Sequence, residues 1–465
     1  MDPHAAAGSP GSPGSELESA PGPAGPPELS PGPAPAPPPA PAPNQVSAPA
    51  PGPAAAPLRH PLAQPHVRNL WLGTIVSLIG DQFYLVALPW LVLQLTGSGL
   101  ALGTVLMTTA VPRAVLMLAG GAVIDRFSAR RVLIVSALAR TLLVGAVAAL
   151  TWLGMVHLWH VLVLTFMFGV ADAFSLPASQ AVIPTLVEPA QLGPVNALMQ
   201  GSMVMTQVIG PAPAGLIVRV WGLGAALLVD AVSFLAVIGA LFKIPEPARR
   251  QAAAPAAAAV PGAAPRGGMA RSIAEGLRAV RKDTPLMTLM GISAVLNLAI
   301  YGPIIVGIAA VAKFRFGSAA AFGTLLSFLS AGMLAGIVLG GRVKRPRHRG
   351  VQFAVVGGLA GLELIGIGLV MKLAPIAALL ALMGFGVGFV NVQFSAWLQT
   401  RVEHALMGRV MSVMMFAGFG MVPVSYALAG ALAQWRLAAP FLIPGAFLAL
   451  AALAALNSRA VRAID

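Results

Sequence analysis

Gly120-Gly121-Ala122-Val123-Ile124-Asp125-Arg126-Phe127-Ser128-Ala129-Arg130-Arg131 is a tight, charged turn. It lies between two apolar segments, each long enough to cross a bilayer. About 220 residues further on, Gly340-Gly341-Arg342-Val343-Lys344-Arg345-Pro346-Arg347-His348-Arg349-Gly350 repeats the pattern, again between apolar runs. A duplicated basic turn at matching places predicts two repeated helical units, the arrangement of a two-fold transporter.

Composition supports a membrane class. The chain is 57% hydrophobic and 9% charged, with a mean hydropathy of +0.83. Soluble domains carry about 25% charged residues, so too few charges remain here to cover a water-facing surface. There is no Cys, which excludes disulfides, Cys-ligated zinc, iron–sulfur clusters and thiol catalysis. The net charge of +14 does not indicate nucleic-acid binding, because the basic residues sit in loops beside apolar spans. Residues 1–66 are Pro, Ala, Gly and Ser with almost no charge, and predict a disordered, partly polyproline-like tail without a signal-peptide pattern.

Twelve apolar spans are expected, at 69–95, 99–122, 131–154, 158–179, 195–219, 223–243, 286–311, 318–341, 351–371, 374–399, 408–433 and 437–457. They form two six-helix bundles, 67–243 and 286–457. A linker, 244–285, joins them, and a short tail, 458–465, follows. Within the linker, Ile273, Leu277 and Val280 share one helical face, with Arg271, Arg278, Arg281 and Lys282 mostly elsewhere, which predicts an amphipathic helix on the membrane surface. With both termini cytoplasmic, 22 of the 29 Lys and Arg residues fall inside and five outside, which fixes the orientation. Gly332/Gly336/Gly340, Gly357/Gly361 and Gly384/Gly388 are spaced by four, so helix backbones are expected to approach closely there. Pro89, Pro112, Pro211, Pro213, Pro303 and Pro423 interrupt spans, as tolerated where helices bend around a cavity.

These residues resemble the major facilitator superfamily. Its signature after the second helix reads Gly-x-Leu-x-Asp-Arg-x-Gly-Arg-Lys/Arg. Gly121, Asp125, Arg126 and Arg130 match, while Val123 stands for Leu, Ser128 for Gly and Ala129 for the first Arg. The resemblance implies a cytoplasmic latch made by Gly121, Asp125, Arg126, Arg130 and the adjoining Arg131. A second signature, from the fifth helix of proton-coupled exporters, reads Gly-x-x-x-Gly-Pro-x-x-Gly-Gly. Here Gly210, Pro211 and Gly215 match, while Thr206 and Ala214 replace two glycines. Gly80-Asp81, Ala87-Leu88-Pro89, Thr96-Gly97-Ser98, Asp230-Ala231-Val232-Ser233-Phe234 and Gly408-Arg409-Val410-Met411-Ser412 resemble the bacterial enterobactin-exporter and macrolide-efflux branch.

Charged groups inside the membrane cost about 2.5–3.5 kcal/mol each on insertion scales, so each is a functional candidate. They are Asp81, Arg113, Arg140, Asp172, Asp230 and Glu363. Asp81 is near the middle of its span and is the expected proton carrier. Arg113, at similar depth on the next span, is its expected electrostatic partner, with a static ion pair as the alternative. Asp172 is the second candidate carrier. Asp230 is expected near the outer end, capping backbone, and Arg140 nearer the cytoplasm, reaching toward the basic turn. For substrate contact, the helices that line the cavity in this fold offer Phe174, Asn297, Tyr301, Asn391, Gln393 and Trp397.

The resulting expectation is a multi-pass protein of the bacterial inner membrane. It works as a monomer and exports a small drug-like or siderophore-like organic molecule in exchange for protons by alternating access. No cofactor and no metal is expected, the proton gradient being the energy source. An importer, a facilitator or a lysophospholipid flippase of the same fold is the alternative. No motif of a membrane enzyme is present: HExxH, GxxxxGK[S/T] and GxSxG are all absent.

Overall fold

The computed structural model describes residues 61–117, 120–244, 277–278, 280–281, 283–343, 348–402, 410, 413–414 and 417–462. The Pro/Ala tail, most of the linker with its expected amphipathic helix, residues 344–347 of the second basic turn and the Gly408-Arg409 pair lie outside these. Every described element is helical, and no strand occurs among the described residues.

In chain order the helices are α1 (Pro65–Thr96), α2 (Gly99–Met117), α3 (Gly120–Phe127), α4 (Ala129–Trp152), α5 (Leu158–Asp172), α6 (Ser175–Val182), α7 (Leu192–Ile209) and α8 (Pro211–Phe242). Then follow α9 (Thr284–Gly302), a π-helical turn (Pro303–Gly307), α10 (Ile308–Phe314), α11 (Ala319–Arg342) and α12 (Arg349–Val370). The last are α13 (Leu373–Arg401), α14 (Val422–Trp435), α15 (Ala439–Asn457) and the short α16 (Arg459–Arg462).

Ten helical stretches among the described residues are long and apolar enough to cross a membrane, against twelve spans expected. The difference has a local cause. The span expected at 195–219 is divided, because Pro211 has no N–H with which to continue the ladder of α7. Its second part is the start of α8. That helix is itself two rods, since Gly222 is non-helical, at φ 83° and ψ 174°. The span expected at 408–433 is described in full only from Ala417.

Glycines set how closely the rods pack. A Cβ on Gly73 of α1 would stand 2.8 Å from the carbonyl oxygen of Ala236, and one on Gly80 would overlap Ser233, so α1 lies flush on the second rod of α8. As the spacing predicted, α11 and α13 touch backbone to backbone. A Cβ on Gly332 or Gly336 would strike the Ala381 or Phe385 carbonyl, and one on Gly384 or Gly388 that of Leu329 or Met333. Gly361 meets Gly445 of α15 in the same way.

A second set of close contacts joins early helices to late ones at the end of the molecule that carries the Gly97-Ser98 turn. Gly103 of α2 faces the Tyr426 carbonyl of α14, its added Cβ falling 3.1 Å from Gly430 Cα. Gly215 of α8 faces Ala319 of α11, and Gly323 of α11 faces the Pro211 carbonyl. Ser98 Oγ donates to Gln434 Oε1 at 3.0 Å, and Lys313 Nζ sits 4.7 Å from the centre of the Trp90 ring. This end is shut by main chain against main chain.

The signature turn keeps a glycine geometry without the glycine. Ser128 has φ 64° and ψ 137°, a region that costs a residue with a Cβ about 1–3 kcal/mol. Its hydroxyl caps α4, but only through a 3.5 Å contact from Arg131 N, and glycine replaces a serine cap at a cost of a few tenths of a kcal/mol. Ser128→Gly is therefore expected to stabilise the protein by about 1 kcal/mol, seen as a higher thermal midpoint of the purified chain in detergent. An unchanged or lower midpoint would mean the cap outweighs the strain.

Candidate functional site

Four charged side chains from four helices meet where α1, α2, α4 and α5 converge. Arg140 of α4 is at the centre, its side chain 9% exposed. Its Nη2 donates to Asp81 Oδ1 of α1. Its Nη1 lies 3.6 Å from Asp172 Oδ1, at the end of α5, and 3.5 Å from Ser175 Oγ. Arg113 Nε of α2 lies 3.2 Å from the other oxygen of Asp172. The result is a chain of alternating charge, Asp81–Arg140–Asp172–Arg113, in an otherwise apolar setting. Ser136 Oγ of α4 donates to the Ala171 carbonyl at 2.7 Å, which holds the end of α5 beside Arg140.

Aromatic rings complete the seat of Arg140. Its guanidinium carbon is 3.9 Å from the centre of the Phe234 ring and 5.1 Å from that of Phe168. A desolvated cation over ring faces is attracted by about 2 kcal/mol. Tyr84 of α1 stacks on Phe168, the ring centres 4.7 Å apart. Asp230 of α8 is fully shut off from solvent. A Cβ on Gly80 would stand 3.0 Å from its Oδ1. The two ends of the network are exposed at the protein surface, Asp81 by 32% and Arg113 by 53%.

Three expectations are corrected by this geometry. Arg113 pairs with Asp172 and not with Asp81, because α2 packs along α5. Arg140 does not reach toward the basic turn; it is buried and bonded to Asp81. Asp230 caps no backbone, since neither of its oxygens has a hydrogen-bond partner among the described residues. Arg140 was the residue most undervalued by sequence, although it is central in the 24 residues of α4.

Gly210, Pro211 and Gly215 are contact points between helices. A Cβ on Gly210 would press on Gln82, next to Asp81, while Pro211 and Gly215 meet α11 at the closed end. Of the latch residues, Gly121 and Asp125 lie in α3, with the Asp125 side chain outside the description. Arg126 sits 5.4 Å from the Phe127 ring centre, Arg130 is half-buried, and Arg131 contributes its N–H to the Ser128 cap.

The expected substrate-contacting residues divide. Tyr301 and Asn391 are exposed, and Asn297 is half-buried, its Nδ2 donating to the Ser293 carbonyl at 2.7 Å. Gln393 and Trp397 are instead buried in this conformation, 3% and 2% exposed. Gln393 Nε2 donates to the Gly340 carbonyl at 2.8 Å, tying α13 to α11, and Trp397 packs with Phe353 and Leu286. Phe174 packs against the buried cluster around Val67, Leu70 and Val182. Glu363 is half-buried on α12, away from the charged network.

The family model of the Major Facilitator Superfamily matches residues 70–425. The chain belongs to this superfamily. Macrolide efflux protein A of Streptococcus pyogenes is 24% identical over 357 residues, covering 74% of this chain and 84% of that protein. Multidrug efflux pump Tap of Mycobacterium tuberculosis is 28% identical over 403 residues, covering 84% and 93%. Among solved structures, nucleoside transporter NupG superposes with a TM-score of 0.63 at 15% identity, covering 85% of this chain and 100% of the other. A bacterial homologue of the iron transporter ferroportin in an inward-facing state gives 0.62 at 16%, covering 84% and 99%. This major facilitator is thus a multi-pass membrane transporter with efflux pumps among its relatives, and not an enzyme.

Proposed function

We propose that this transporter exports a small amphipathic or cationic organic molecule, of the drug-like class, in exchange for protons. The observation that carries this reading is the Asp81–Arg140–Asp172–Arg113 network, buried at Arg140 and exposed at both ends. Charges at such a depth cost energy and mark functional sites by default. Asp81, Arg113, Asp172 and Asp230 are the coupling groups. A carboxyl that loses its guanidinium partner takes a proton, and one that regains it gives the proton up. The named relatives, a macrolide pump and a multidrug pump, favour drug-like cargo over siderophores, and favour export over import.

The working architecture is twelve spans in two bundles, 67–243 and 286–457, linked by 244–285 with both termini cytoplasmic. The divided fifth span and the incompletely described eleventh make up the count. In this orientation the closed end faces outward, and the molecule opens inward to receive cargo. Tyr301, Asn297 and Asn391 offer the cargo its polar contacts, and the turn with Asp125 latches the opposite end when the bundles rock. The transporter acts as a monomer in the bacterial plasma membrane.

The test is transport in liposomes under an imposed pH gradient, with lipophilic cations, macrolides and catechol siderophores as cargo. Uphill movement of a lipophilic cation or macrolide only when protons run the other way is expected. Asp81→Asn should abolish uphill transport while leaving exchange down a gradient. Transport indifferent to the pH gradient would replace this reading with a facilitator, and normal pumping by Asp81→Asn would remove that residue from coupling.

A further inference from the structure

The cluster holds three carboxyl groups, Asp81, Asp172 and Asp230, against two guanidinium groups, Arg113 and Arg140. Arg140 and Asp81 form one pair of opposite charges, and Arg113 and Asp172 the other. The 3.6 Å contact of Arg140 with Asp172 joins the pairs into a neutral unit. Asp230 is the carboxyl left over. It is fully buried, and neither of its oxygens has a donor among the described residues. A carboxylate in that position carries a desolvation penalty of several kcal/mol, which a carboxylic acid avoids.

Other polar atoms in the same cluster are idle. Arg140 Nε and the Tyr84 hydroxyl are buried and also lack partners among the described residues. The Arg140 guanidinium lies on Phe234, one helical turn along α8 from Asp230. Arg140 and Asp230 are near enough for their charges to interact, so a turn of the Arg140 side chain toward Asp230 asks for no movement of the α4 backbone. Gly80, without a side chain, leaves α1 no bulk between the two carboxyls' helices.

We propose that Arg140 is a charge switch between Asp81 and Asp230. The proposal rests on the coupling reading above and names the residue that performs it. In the present conformation Arg140 holds Asp81 and Asp172 as carboxylates, and the exchangeable proton is on Asp230. When Asp81 takes a proton from water, an O–H bond forms there and its hold on the guanidinium lapses. Arg140 turns to Asp230, the O–H bond of Asp230 breaks, and that proton passes to a water admitted as Arg140 moves, Asp230 being closed to solvent in the present conformation. One proton is taken up and one released, so the cluster's net charge is the same before and after. The groups facing Asp230 in this exchange are Asp81 and Tyr84 of α1, Arg140 of α4 and Asp172 of α5, with Ser233 beside it on α8 bonded to the Asp230 carbonyl.

The test is infrared spectroscopy of the full chain in lipid nanodiscs at neutral pH, reading the C=O stretch of a protonated carboxyl. All samples carry Glu363→Gln, which removes the separate membrane carboxyl on α12. A protonated-carboxyl band is expected in this background. Asp230→Asn should abolish it. Asp81→Asn should abolish it as well, because Asp172 is then the one carboxylate left to both Arg113 and Arg140, and Arg140 turns to Asp230, which gives up its proton. Absence of the band in the parent, or its survival in Asp230→Asn, would overturn the assignment of the proton. An undiminished band in Asp81→Asn would overturn the switch. No cargo or gradient is present, so a failed export assay leaves this result standing, and a failed band leaves export standing.

Discussion

Arg140→Leu should lose uphill transport altogether and lower stability by about 3–5 kcal/mol, the cost of breaking a buried ion pair from one side. The substitution leaves Asp81 and Asp172 facing each other without the group that separates them. It also removes the cation seated on Phe234. Arg140→Lys should restore only part of the stability, because one ammonium cannot present two nitrogens to two carboxyls as the guanidinium fork does. The informative partner is the double variant Asp81→Asn, Arg140→Leu, which removes one charge of each sign and leaves Asp172 with Arg113. It should recover most of the thermal stability lost in Arg140→Leu and none of the transport. Thermal unfolding in detergent and pH-driven uptake into vesicles read the two effects separately. Wild-type pumping by Arg140→Leu would reduce the network to helix packing.

The second large effect is expected at the closed end. Gly103→Leu pushes a side chain into the Tyr426 carbonyl, in a seam where no side chain can yield. Overpacking of this kind costs about 1–3 kcal/mol, and here the cost falls only on the conformation with the seam shut. The chain has no Cys, so Ser98→Cys with Gln434→Cys gives a clean reporter at a pair now 3.0 Å apart through their polar atoms. Joining by a short bifunctional thiol reagent should be efficient in the parent and fall by about tenfold with Gly103→Leu. Export should fall with it, since a transporter that cannot shut one end leaks or stalls. Undiminished joining in Gly103→Leu would mean the seam tolerates the side chain.

The sequence made some features legible for physical reasons and hid others. Basic turns, apolar lengths and glycine spacing are one-dimensional signals, and the α11–α13 contact at Gly332, Gly336, Gly384 and Gly388 was readable from them. The intramembrane charges were readable too, because each stands alone in an apolar run. Their pairing was not. Depth along a span puts Arg113 level with Asp81, but partners are chosen by which helices touch, and α2 lies along α5. Arg140 was misjudged although its own depth is central, because a long side chain can as readily reach toward a neighbouring basic turn as across to a carboxylate. That Gln393 and Trp397 are buried in this conformation was not readable, because α13 is apolar around its whole circumference, so no face of it announces itself as interior or cavity. At Ser128 the sequence departs from the glycine of the family signature, yet the backbone retains the conformation that glycine would suit.

The π-helical turn at Pro303–Gly307 has a consequence for how that rod is presented. A turn closed one residue wider advances the sequence by one position without a matching rotation, so everything after it is offset by about 100° around the axis relative to an unbroken α-helix. The rod is in effect two phases of one helix. Tyr301 and Asn297 belong to the first phase, and Lys313, seated on Trp90, belongs to the second. The stretch carrying Asn297 and Tyr301 and the stretch that fastens the closed end are thereby aimed independently, and substitutions that alter one need not misalign the other.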